Sequence, residues 1–460
     1  MSDYDLVVLG GGTGNLVAAA AADRGETVAL VERDRLGGTC LNRGCNPSKQ
    51  LIHRANVAET VRGAEAYGVD ASLDGIAYED VVVEVTAAVT EEAEAKAERA
   101  RANDNVTLYR AEGRFVGERA VEVDVDGGER ITGDDVVLAG GSRPMLPDAI
   151  DGTDEVDFLT SADALRLESL PDSLVIVGGG YVAVEMAHFF GAMGSDVTVV
   201  GGSDVLGARE DRDVAERLTA AYRERFDLRL GYEASALAED GGETVVAAEG
   251  DDGDERRIEG DEVLLATGRR PNSDEWNVDA AGLATDEKGF VETDEYLETS
   301  VDGVWAIGDI AGNHMFKHSG DKEAEYVVAN AVDGEREPVE YPGMAHAVFG
   351  SPEVGSLGET ESEVDGECEV GTFAYGDTAL GSVVGADGDF AKAVVAPDGE
   401  VLGFHAVGPH ASVLVHEVAT AVAAGADAER IAETIHVHPA LSEVLQGAFR
   451  DVRDVAPRGF

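Results

Sequence analysis

The sequence has little cysteine, little lysine and no long apolar runs. Three cysteines in 460 residues are too few for a secreted scaffold built on disulfide bonds. No stretch of about 18 apolar residues occurs, which argues against a membrane-spanning helix. The first residues, Met1–Asp5, contain neither a basic region nor a cleavable apolar stretch, so we expect no secretory signal and a cytoplasmic location.

Lysine is the scarcest charged residue. Its six copies and 29 arginines stand against 92 aspartates and glutamates, which gives a formal net charge of −57. The acids are spread along the whole chain, as in proteins that work at molar salt, where a Debye length of about 3 Å at 1 M weakens like-charge repulsion. We therefore predict a halophilic protein. Because no basic patch is visible, we expect no nucleic-acid partner.

A strand, a glycine turn, a helix and a second strand open the chain, in the pattern of a dinucleotide-binding βαβ unit. Its parts are the predicted strand Leu6–Leu9, the turn residues Gly10, Gly12, Gly14 and Asn15, a helix to about Arg24, the strand Thr27–Val31 and the acid Glu32. The glycines allow a pyrophosphate to approach the helix N-terminus, and Glu32 suits a ribose diol. Asn15 takes the place of the usual third glycine, which predicts slightly looser packing of the helix on the strand.

The same pattern recurs later in the chain, which predicts a second dinucleotide site. Its parts are the strand Ser173–Val177, the turn Gly178–Gly180, the helix Tyr181–Met193 and the strand Asp196–Val200. Each unit is followed by an apolar strand that ends in glycine, Val136–Gly141 and Val263–Gly268. Gly201 stands where an acid would bind the ribose of NAD, while Ser203, Arg209 and Arg212 lie close in sequence. This combination favours NADPH.

Two of the cysteines, Cys40 and Cys45, are five residues apart. A disulfide needs Cα atoms about 4.4–6.8 Å apart. Five extended residues span roughly 16 Å, and five helical residues rise about 7.5 Å and face different sides. We therefore expect a distorted helical turn, which Gly44 and Pro47 permit. A redox pair is favoured over a structural bridge or a zinc site, because no second Cys/His pair completes four metal ligands, and we expect no metal.

Two segments carry a resemblance to a known family. Gly37–Lys49 and Trp305–Asp309 resemble the class I flavoprotein disulfide reductases, which include glutathione, trypanothione and mycothione reductases, lipoamide dehydrogenase and mercuric reductase. The resemblance covers essentially the whole chain. It implies an α/β fold with two Rossmann-like dinucleotide-binding domains plus a C-terminal α+β dimerisation domain, in a homodimer with FAD. We expect an FAD-binding domain at 1–147, an NAD(P)-binding domain at 148–270, a central domain at 271–340 and an interface domain at 341–460.

The resemblance also implies roles for individual residues. Cys45 would lie nearer the flavin and Cys40 would attack the substrate disulfide. Lys49 and Glu185 match the pair near flavin N5, and Tyr181 matches the gate over the nicotinamide pocket. We expect the FAD site to comprise Gly10, Gly12, Gly14, Asn15, Glu32, Arg33, Gly38, Thr39, Lys49, Gly113, Gly141, Asp309 and Lys317. We expect the NADPH site to comprise Gly178, Gly180, Tyr181, Val182, Glu185, Ser203, Arg209 and Gly268.

A histidine and a glutamate near the C-terminus complete the predicted catalytic set. Pro439 suits the first position of a helix, with His438 just before it, and Glu443 can fix the tautomer of the imidazole. In the family this pair comes from the partner subunit, so we expect His438 to act across the interface. His436 is the less favoured base, and Cys368 is expected to be an incidental thiol.

The substrate is expected to be a small disulfide. Phe316–His318 and Tyr375–Asp377 are most similar to mycothione reductase, and Ala456–Phe460 lacks the cysteine pair of mercuric reductase. For a halophile we favour bis-γ-glutamylcystine, the disulfide of the small thiol γ-glutamylcysteine that halophilic archaea use. Lipoamide dehydrogenase and then a mercuric reductase-like enzyme are the alternatives. A non-enzymatic flavoprotein would not need both cysteines and His438. Arg43 is either a contact for an anionic substrate or a surface charge.

Overall fold

The computed structural model describes residues 2–125, 127–147, 149–251 and 253–453. The segment Ala456–Phe460 therefore lies outside the described residues. The first strands of the chain are β1 (Ser2–Leu9), β2 (Val28–Val31), β3 (Val106–Tyr109), β4 (Gly113–Gly117), β5 (Ala120–Val123), β6 (Glu129–Leu138) and β7 (Ser142–Pro144). The helices among them are α1 (Gly14–Asp23), α2 (Gly38–Arg43), α3 (Cys45–Gly63) and α4 (Tyr78–Ala102). Parallel strands in the order β3-β2-β1-β6 form a Rossmann-like sheet, which β5 and β4 extend in antiparallel fashion.

The next part of the chain repeats this arrangement. Its elements are α5 (Ser161–Ala164), β8 (Ser173–Val177), α6 (Tyr181–Met193), β9 (Asp196–Gly201), α7 (Arg212–Arg223), β10 (Asp227–Leu230), β11 (Tyr232–Asp240), β12 (Glu243–Gly250), β13 (Glu255–Gly260) and β14 (Glu262–Leu265). The parallel order β10-β9-β8-β14 matches that of the first sheet. The strands β11, β12 and β13 form a separate antiparallel sheet beside it.

The chain then returns to the first sheet. Strand β15 (Arg269–Pro271) pairs with β7, and β16 (Val304–Ala306) pairs in parallel with β6. Helix α8 (Lys317–Val327) packs against α1 and continues into a π-helical turn at Val328–Val332. Short 3-10 turns lie at Ala64–Tyr67, Val278–Ala281, Gly308–Ile310 and Tyr375–Asp377. This return brings Asp309 to the edge of the first unit.

The C-terminal part is an antiparallel sheet covered by helices. Its elements are β17 (Ala345–Val348), β18 (Val354–Gly358), β19 (Glu369–Ala374), α9 (Ala379–Val384), β20 (Phe390–Val395), β21 (Val401–Val407), α10 (Ala411–Ala423), α11 (Ala428–Glu433) and α12 (Glu443–Val452). The strand order is β17-β18-β21-β20-β19. The predicted helix start at Pro439 is wrong, because α12 begins at Glu443. The predicted fold class is confirmed.

Apolar and charged contacts join these parts. The largest apolar core combines α3, α4 and α6 with the second parallel sheet, so the first and second units share one interior. Lys392 on β20 is almost fully buried, and its Nζ lies 2.9 Å from Asp211, 2.7 Å from Asp213 and 2.7 Å from Glu361. This ion cluster links the second unit to the C-terminal sheet. Within the described ranges, no helix is both long and apolar enough to cross a membrane.

Candidate active site

A single cavity of about 2340 Å³ runs between the two glycine turns. It is lined by both cysteines and by nearly all of the residues predicted for the two nucleotides. Among the described residues, the five predicted site residues that do not line it are Gly14, Asn15, Arg212, His438 and Glu443. The residues predicted from the sequence therefore lie around one cavity, apart from two residues of α1, Arg212 and the C-terminal pair.

The first glycine turn is shaped for a close approach to its ligand. Gly10 has a φ of 102° and faces the carbonyl oxygen of Ala139, where a Cβ would clash. The carboxylate of Glu32 accepts hydrogen bonds from the backbone N–H of Gly11 at 2.7 Å and of Asp34 at 2.8 Å. Glu32 is therefore held at the end of β2, where an adenosine ribose would lie.

Helix α1 packs closely against the first parallel sheet at Gly14. A Cβ on Gly14 would lie 2.8 Å from Cγ1 of Val8 and 3.0 Å from Cβ of Ala139. The close contact between helix and strand therefore falls at Gly14, and the slightly looser packing expected from Asn15 stays a prediction. The turn, the helix N-terminus and Glu32 together fit the adenosine diphosphate half of FAD.

The two cysteines flank a break between helices. Cys40 lies on α2, Cys45 begins α3, and the intervening Gly44 has a non-helical backbone. A Cβ at Gly44 would lie 2.9 Å from the carbonyl oxygen of Thr39, so glycine suits this position. The distorted turn expected from the cysteine spacing is therefore present, and both residues are thiols in this structure.

The two thiols differ in acidity. The hydrogen bond that Cys40 donates lowers the pKa of Cys45 to about 6, against an opposing effect of burial, and the charge of Lys49 lowers it further. The same hydrogen bond, together with burial, raises the pKa of Cys40 above its ordinary value. The pair is thus poised to hold one thiolate on Cys45 and one proton on Cys40.

A partly buried ion pair lies beside Cys45. Nζ of Lys49, on α3, lies 2.7 Å from both carboxylate oxygens of Glu185, on α6. The backbone N–H of Phe349 donates to Glu185 at 3.1 Å, and the Lys49 ammonium lies 4.6 Å from the centre of the Phe349 ring. The pair therefore spans the two nucleotide-binding units and fixes a cation close to the thiolate.

The part of the cavity predicted to hold the flavin contains a second acid besides Glu32, namely Asp309. Asp309 accepts a short hydrogen bond from Ser142, and its carboxylate lies 3.8 Å from Arg269. Burial raises the pKa of Asp309, although Ser142 and Arg269 oppose this effect. A half-buried carboxylate of this kind suits the hydroxyl groups of a ribityl chain. Of the other predicted flavin-side residues, Arg33 pairs with Glu275 at 2.7 Å, and Lys317 pairs with Asp321.

The second glycine turn repeats the geometry of the first. Gly178 has a φ of 123° and faces the carbonyl oxygen of Ala266. Gly202, Ser203 and Arg209 line the cavity at the end of β9. Arg212 is already engaged, because it donates to both oxygens of Asp204 at 2.9 and 2.7 Å and to Glu216 at 2.7 Å. Arg212 therefore already has carboxylate partners, and its role at a 2′-phosphate stays a prediction.

An aromatic stack continues from Tyr181 into the C-terminal part. The ring centre of Tyr181 lies 6.4 Å from that of Phe316, which stacks on His318 and on His346, each at 5.4 Å. His346 in turn lies 2.9 Å from the buried Glu210. Sequence reasoning missed this stack, because its members come from three separate segments.

The C-terminal histidine is paired but exposed. Nδ1 of His438 lies 3.0 Å from Glu443, and the side chain of His438 is 59% exposed. Burial raises the pKa of Glu443, but the hydrogen bonds from His438 and from the backbone N–H of Ala440, with the charges of His438 and His436, together lower that pKa overall. His436 instead lies 2.6 Å from Glu417. Arg43 pairs with Asp34, and Cys368 lies just before β19.

The fold and the site are those of a flavin-linked oxidoreductase with a cysteine pair in its cavity. Residues 4–333 match the model of the pyridine nucleotide-disulphide oxidoreductases, and residues 344–449 match the dimerisation domain of the same enzymes. The chain belongs to this family. It is therefore a flavoprotein disulfide oxidoreductase that uses FAD and a pyridine nucleotide, and its dimerisation domain indicates a homodimer.

The chain resembles relatives that are named for different substrates. It is 37% identical to a dihydrolipoyl dehydrogenase of Halobacterium salinarum over 96% of this chain and 95% of that one. It is 34% identical to a mycothione reductase of Mycobacterium tuberculosis over 98% of this chain and 100% of that one. The HOCl-induced flavoprotein disulfide reductase RclA of Escherichia coli shares the fold, with a TM-score of 0.85 at 24% identity over 97% of this chain and 99% of that one. The acidic composition agrees with the halophilic relatives.

Proposed function

We propose that this chain is an NADPH-dependent reductase of a low-molecular-weight disulfide, bis-γ-glutamylcystine, acting in the cytoplasm. The reaction consumes one disulfide, NADPH and a proton, and yields two γ-glutamylcysteine thiols and NADP⁺. The observation that carries the proposal is the Cys40–Cys45 dithiol with its unequal acidities, beside Lys49 and Glu185 in the shared cavity. In this proposal the FAD-binding domain ends at residue 147, the NAD(P)-binding domain at 270 and the central domain at 340.

The chain's own residues account for the thiol chemistry. Bound FAD supplies the two-electron relay between the nicotinamide and the disulfide. The Cys40 thiolate attacks one substrate sulfur and releases the first thiol. The Cys45 thiolate then attacks the sulfur of Cys40, releases the second thiol and restores the Cys40–Cys45 disulfide. The Lys49 ammonium stabilises the thiolate on Cys45 while it waits.

We assign the proton transfers to His438 of the partner subunit. His438 of the same chain does not line the cavity that contains Cys40, and the neighbouring Ile435 and Val437 are 95% and 76% exposed in the single chain. An exposed apolar segment beside a glutamate-paired histidine supports contact with a second copy. There the histidine takes the proton of Cys40 and returns it to the leaving thiolate.

The preference for NADPH rests on two observations. Gly201 leaves open the position of the acid that binds an unphosphorylated ribose. Arg209 lines the cavity and makes no ion pair within the part of the chain that the structure describes, so it remains available to a 2′-phosphate. Ser203 lies beside this position and adds a hydroxyl donor.

Dihydrolipoyl dehydrogenase activity is the second candidate. The observation in its favour is the 37% identity to the Halobacterium salinarum enzyme with that name. The two candidates differ in both nucleotide and thiol. Bis-γ-glutamylcystine, oxidised glutathione and lipoamide should therefore be offered separately with NADPH and with NADH in about 3 M KCl, which matches the high-salt regime.

Fast turnover only with NADPH and bis-γ-glutamylcystine would support the proposal, whereas a preference for NADH with lipoamide would replace it by the second candidate. The Cys40→Ser variant should keep its yellow FAD and lose disulfide reduction by at least about 1000-fold, because it lacks the attacking thiolate. Cys368→Ser is the matched control and should retain full activity. Turnover that survives the loss of Cys40 would contradict the dithiol mechanism.

A further inference from the structure

The adenosine end of the second nucleotide site lacks an acid on its own strand. In the first unit Glu32 ends β2 and its carboxylate is fixed on the glycine turn. In the second unit Gly201 occupies that position, and a Cβ there would lie 3.6 Å from the backbone of Gly179. The strand therefore approaches the turn closely without offering a side chain to the ribose.

A carboxylate reaches the same place from a different strand. Glu233 lies on β11, and its exposed side chain extends over Gly202. A Cβ built on Gly202 would lie 3.1 Å from Cγ and 3.3 Å from Oε1 of Glu233. Gly202 and Ser203 line the cavity together with the glycine turn, so the Glu233 side chain over Gly202 lies beside the adenosine end of the cavity, although Glu233 is not itself one of the lining residues.

Glu233 and Arg209 carry opposite charges near this end of the site and would favour different nucleotides. Asp204 is neutralised by two hydrogen bonds from Arg212, at 2.9 and 2.7 Å. Glu233 makes no ion pair among the residues that the structure covers, and Arg209 is likewise unpaired there. Among the described residues, an unpaired carboxylate and an unpaired guanidinium therefore lie near the region where NADH carries a 2′-hydroxyl and NADPH carries a phosphate.

We infer that Glu233 is a specificity-determining residue, which binds the 2′,3′-diol of the adenosine ribose and stands in for the acid missing at Gly201. A carboxylate accepts hydrogen bonds from the diol and repels a 2′-phosphate at contact distance. Arg209 has the opposite preference. Glu233 thus keeps NADH usable in an enzyme that we propose to favour NADPH. The inference rests on the proposed function only in its use of a nicotinamide nucleotide at this site.

The test compares Glu233→Gln with the wild type and with Glu239→Gln. Glu239 lies on the same strand, so its variant removes the same charge away from Gly202. Binding of ADP-ribose and of adenosine 2′,5′-bisphosphate is measured by titration calorimetry of the FAD-loaded enzyme in about 3 M KCl, where longer-range charge effects are screened and direct hydrogen bonds remain. The ratio of the two dissociation constants reports recognition of the ribose without any turnover.

In Glu233→Gln we expect this ratio to move toward the bisphosphate by about tenfold, as befits the loss of a hydrogen bond to a charged group. The ratio of kcat/KM for NADPH over NADH should rise with it, and Glu233→Asp should lie between the two. A change of less than about threefold, or an equal change in Glu239→Gln, would overturn the inference, because a tenfold effect corresponds to only one such bond.

The two proposals fail in different ways. If the wild type reduces no small disulfide but Glu233→Gln shifts the binding ratio, the proposed function is wrong and the assignment of Glu233 holds. If the wild type reduces bis-γ-glutamylcystine and the binding ratio does not move, the assignment of Glu233 alone is wrong. Because Glu233 is exposed, FAD content and circular dichroism should match those of the wild type.

Discussion

The two nucleotide-binding units share their backbone and differ at one end. In both, the parallel strands have the same order and the first glycine of the turn has a positive φ against a carbonyl of the returning strand. They differ where the second strand ends, at Glu32 in one unit and at Gly201 in the other. Main-chain geometry, which is the same in both units, therefore determines how the pyrophosphate end of the nucleotide binds. Side chains, which differ between the units, determine how the adenosine end binds.

The sharpest way to separate the units is to block each turn. Gly10→Ala and Gly178→Ala both force a Cβ toward a carbonyl at positive φ, a strain of about 3 kcal/mol that corresponds to roughly 100-fold in binding. Gly10→Ala should lose FAD, measured as flavin absorbance per chain. Gly178→Ala should retain FAD and lose kcat/KM for NADPH. If Gly178→Ala also releases flavin, or if Gly10→Ala keeps it, the assignment of the first turn to FAD and of the second to NADPH is wrong.

The next effect lies at the seam between the units, where Lys49 of one meets Glu185 of the other. Lys49→Met removes a cation that lowers the pKa of Cys45, so that pKa should rise from about 6 by about one unit. Ultraviolet absorbance of the thiolate in the reduced enzyme, titrated against pH, measures the shift. Glu185→Gln is the control of opposite sign, because Glu185 raises the pKa of Cys45. Equal titration midpoints in the wild type and both variants would show that the Lys49–Glu185 pair does not influence the pKa of Cys45.

A smaller effect is expected from making the second unit resemble the first. Gly201→Glu adds the acid that Glu32 supplies, and its Cβ would lie 3.3 Å from Cδ2 of Leu230, a mobile side-chain end that can yield. The ratio of kcat/KM for NADH over NADPH should rise about tenfold, as expected for a new charged hydrogen bond to the diol. Gly201→Gln, with similar volume and no charge, should change this ratio far less. Equal ratios in the two variants would argue against a ribose-binding role for this position.

The smallest effect should come from Arg209, because an exposed cation is strongly screened at molar salt. Arg209→Gln should lower kcat/KM for NADPH by about threefold and leave that for NADH unchanged, in keeping with the modest energy of an exposed ion pair. Arg212→Gln is the matched control, since Asp204 and Glu216 already occupy that guanidinium. A larger loss in Arg212→Gln would mean that the ion pair opens for the nucleotide.

Local patterns predicted the local structure well. The strand Ser173–Val177 and the helix Tyr181–Met193 have the same bounds in the structure, because glycines limit both and their apolar runs are buried. The break at Gly44 followed from the cysteine spacing alone. The error at Pro439 has a simple cause, since proline tolerates a helix start but does not require one.

Long-range neighbours were mostly beyond reach. The pairing of Lys49 with Glu185 was anticipated only through the family resemblance, because nothing local links residues 136 positions apart. Glu233 could not be found from its own segment, where it looks like any acid on an exposed strand. Its position depends on how β11 folds back over the end of β9, which is a property of the tertiary structure.

Most of the few lysine amines of this chain lie around the cavity. Of the six lysines, four line the cavity, namely Lys49, Lys288, Lys317 and Lys322. Lys392 is only 2% exposed within its cluster of acids, which leaves Lys96 on α4 as the one lysine elsewhere on the surface. Amine-reactive reagents, usually indiscriminate surface labels, therefore become site-directed probes of this enzyme. Immobilisation through any accessible lysine other than Lys96 would attach the enzyme at its cavity.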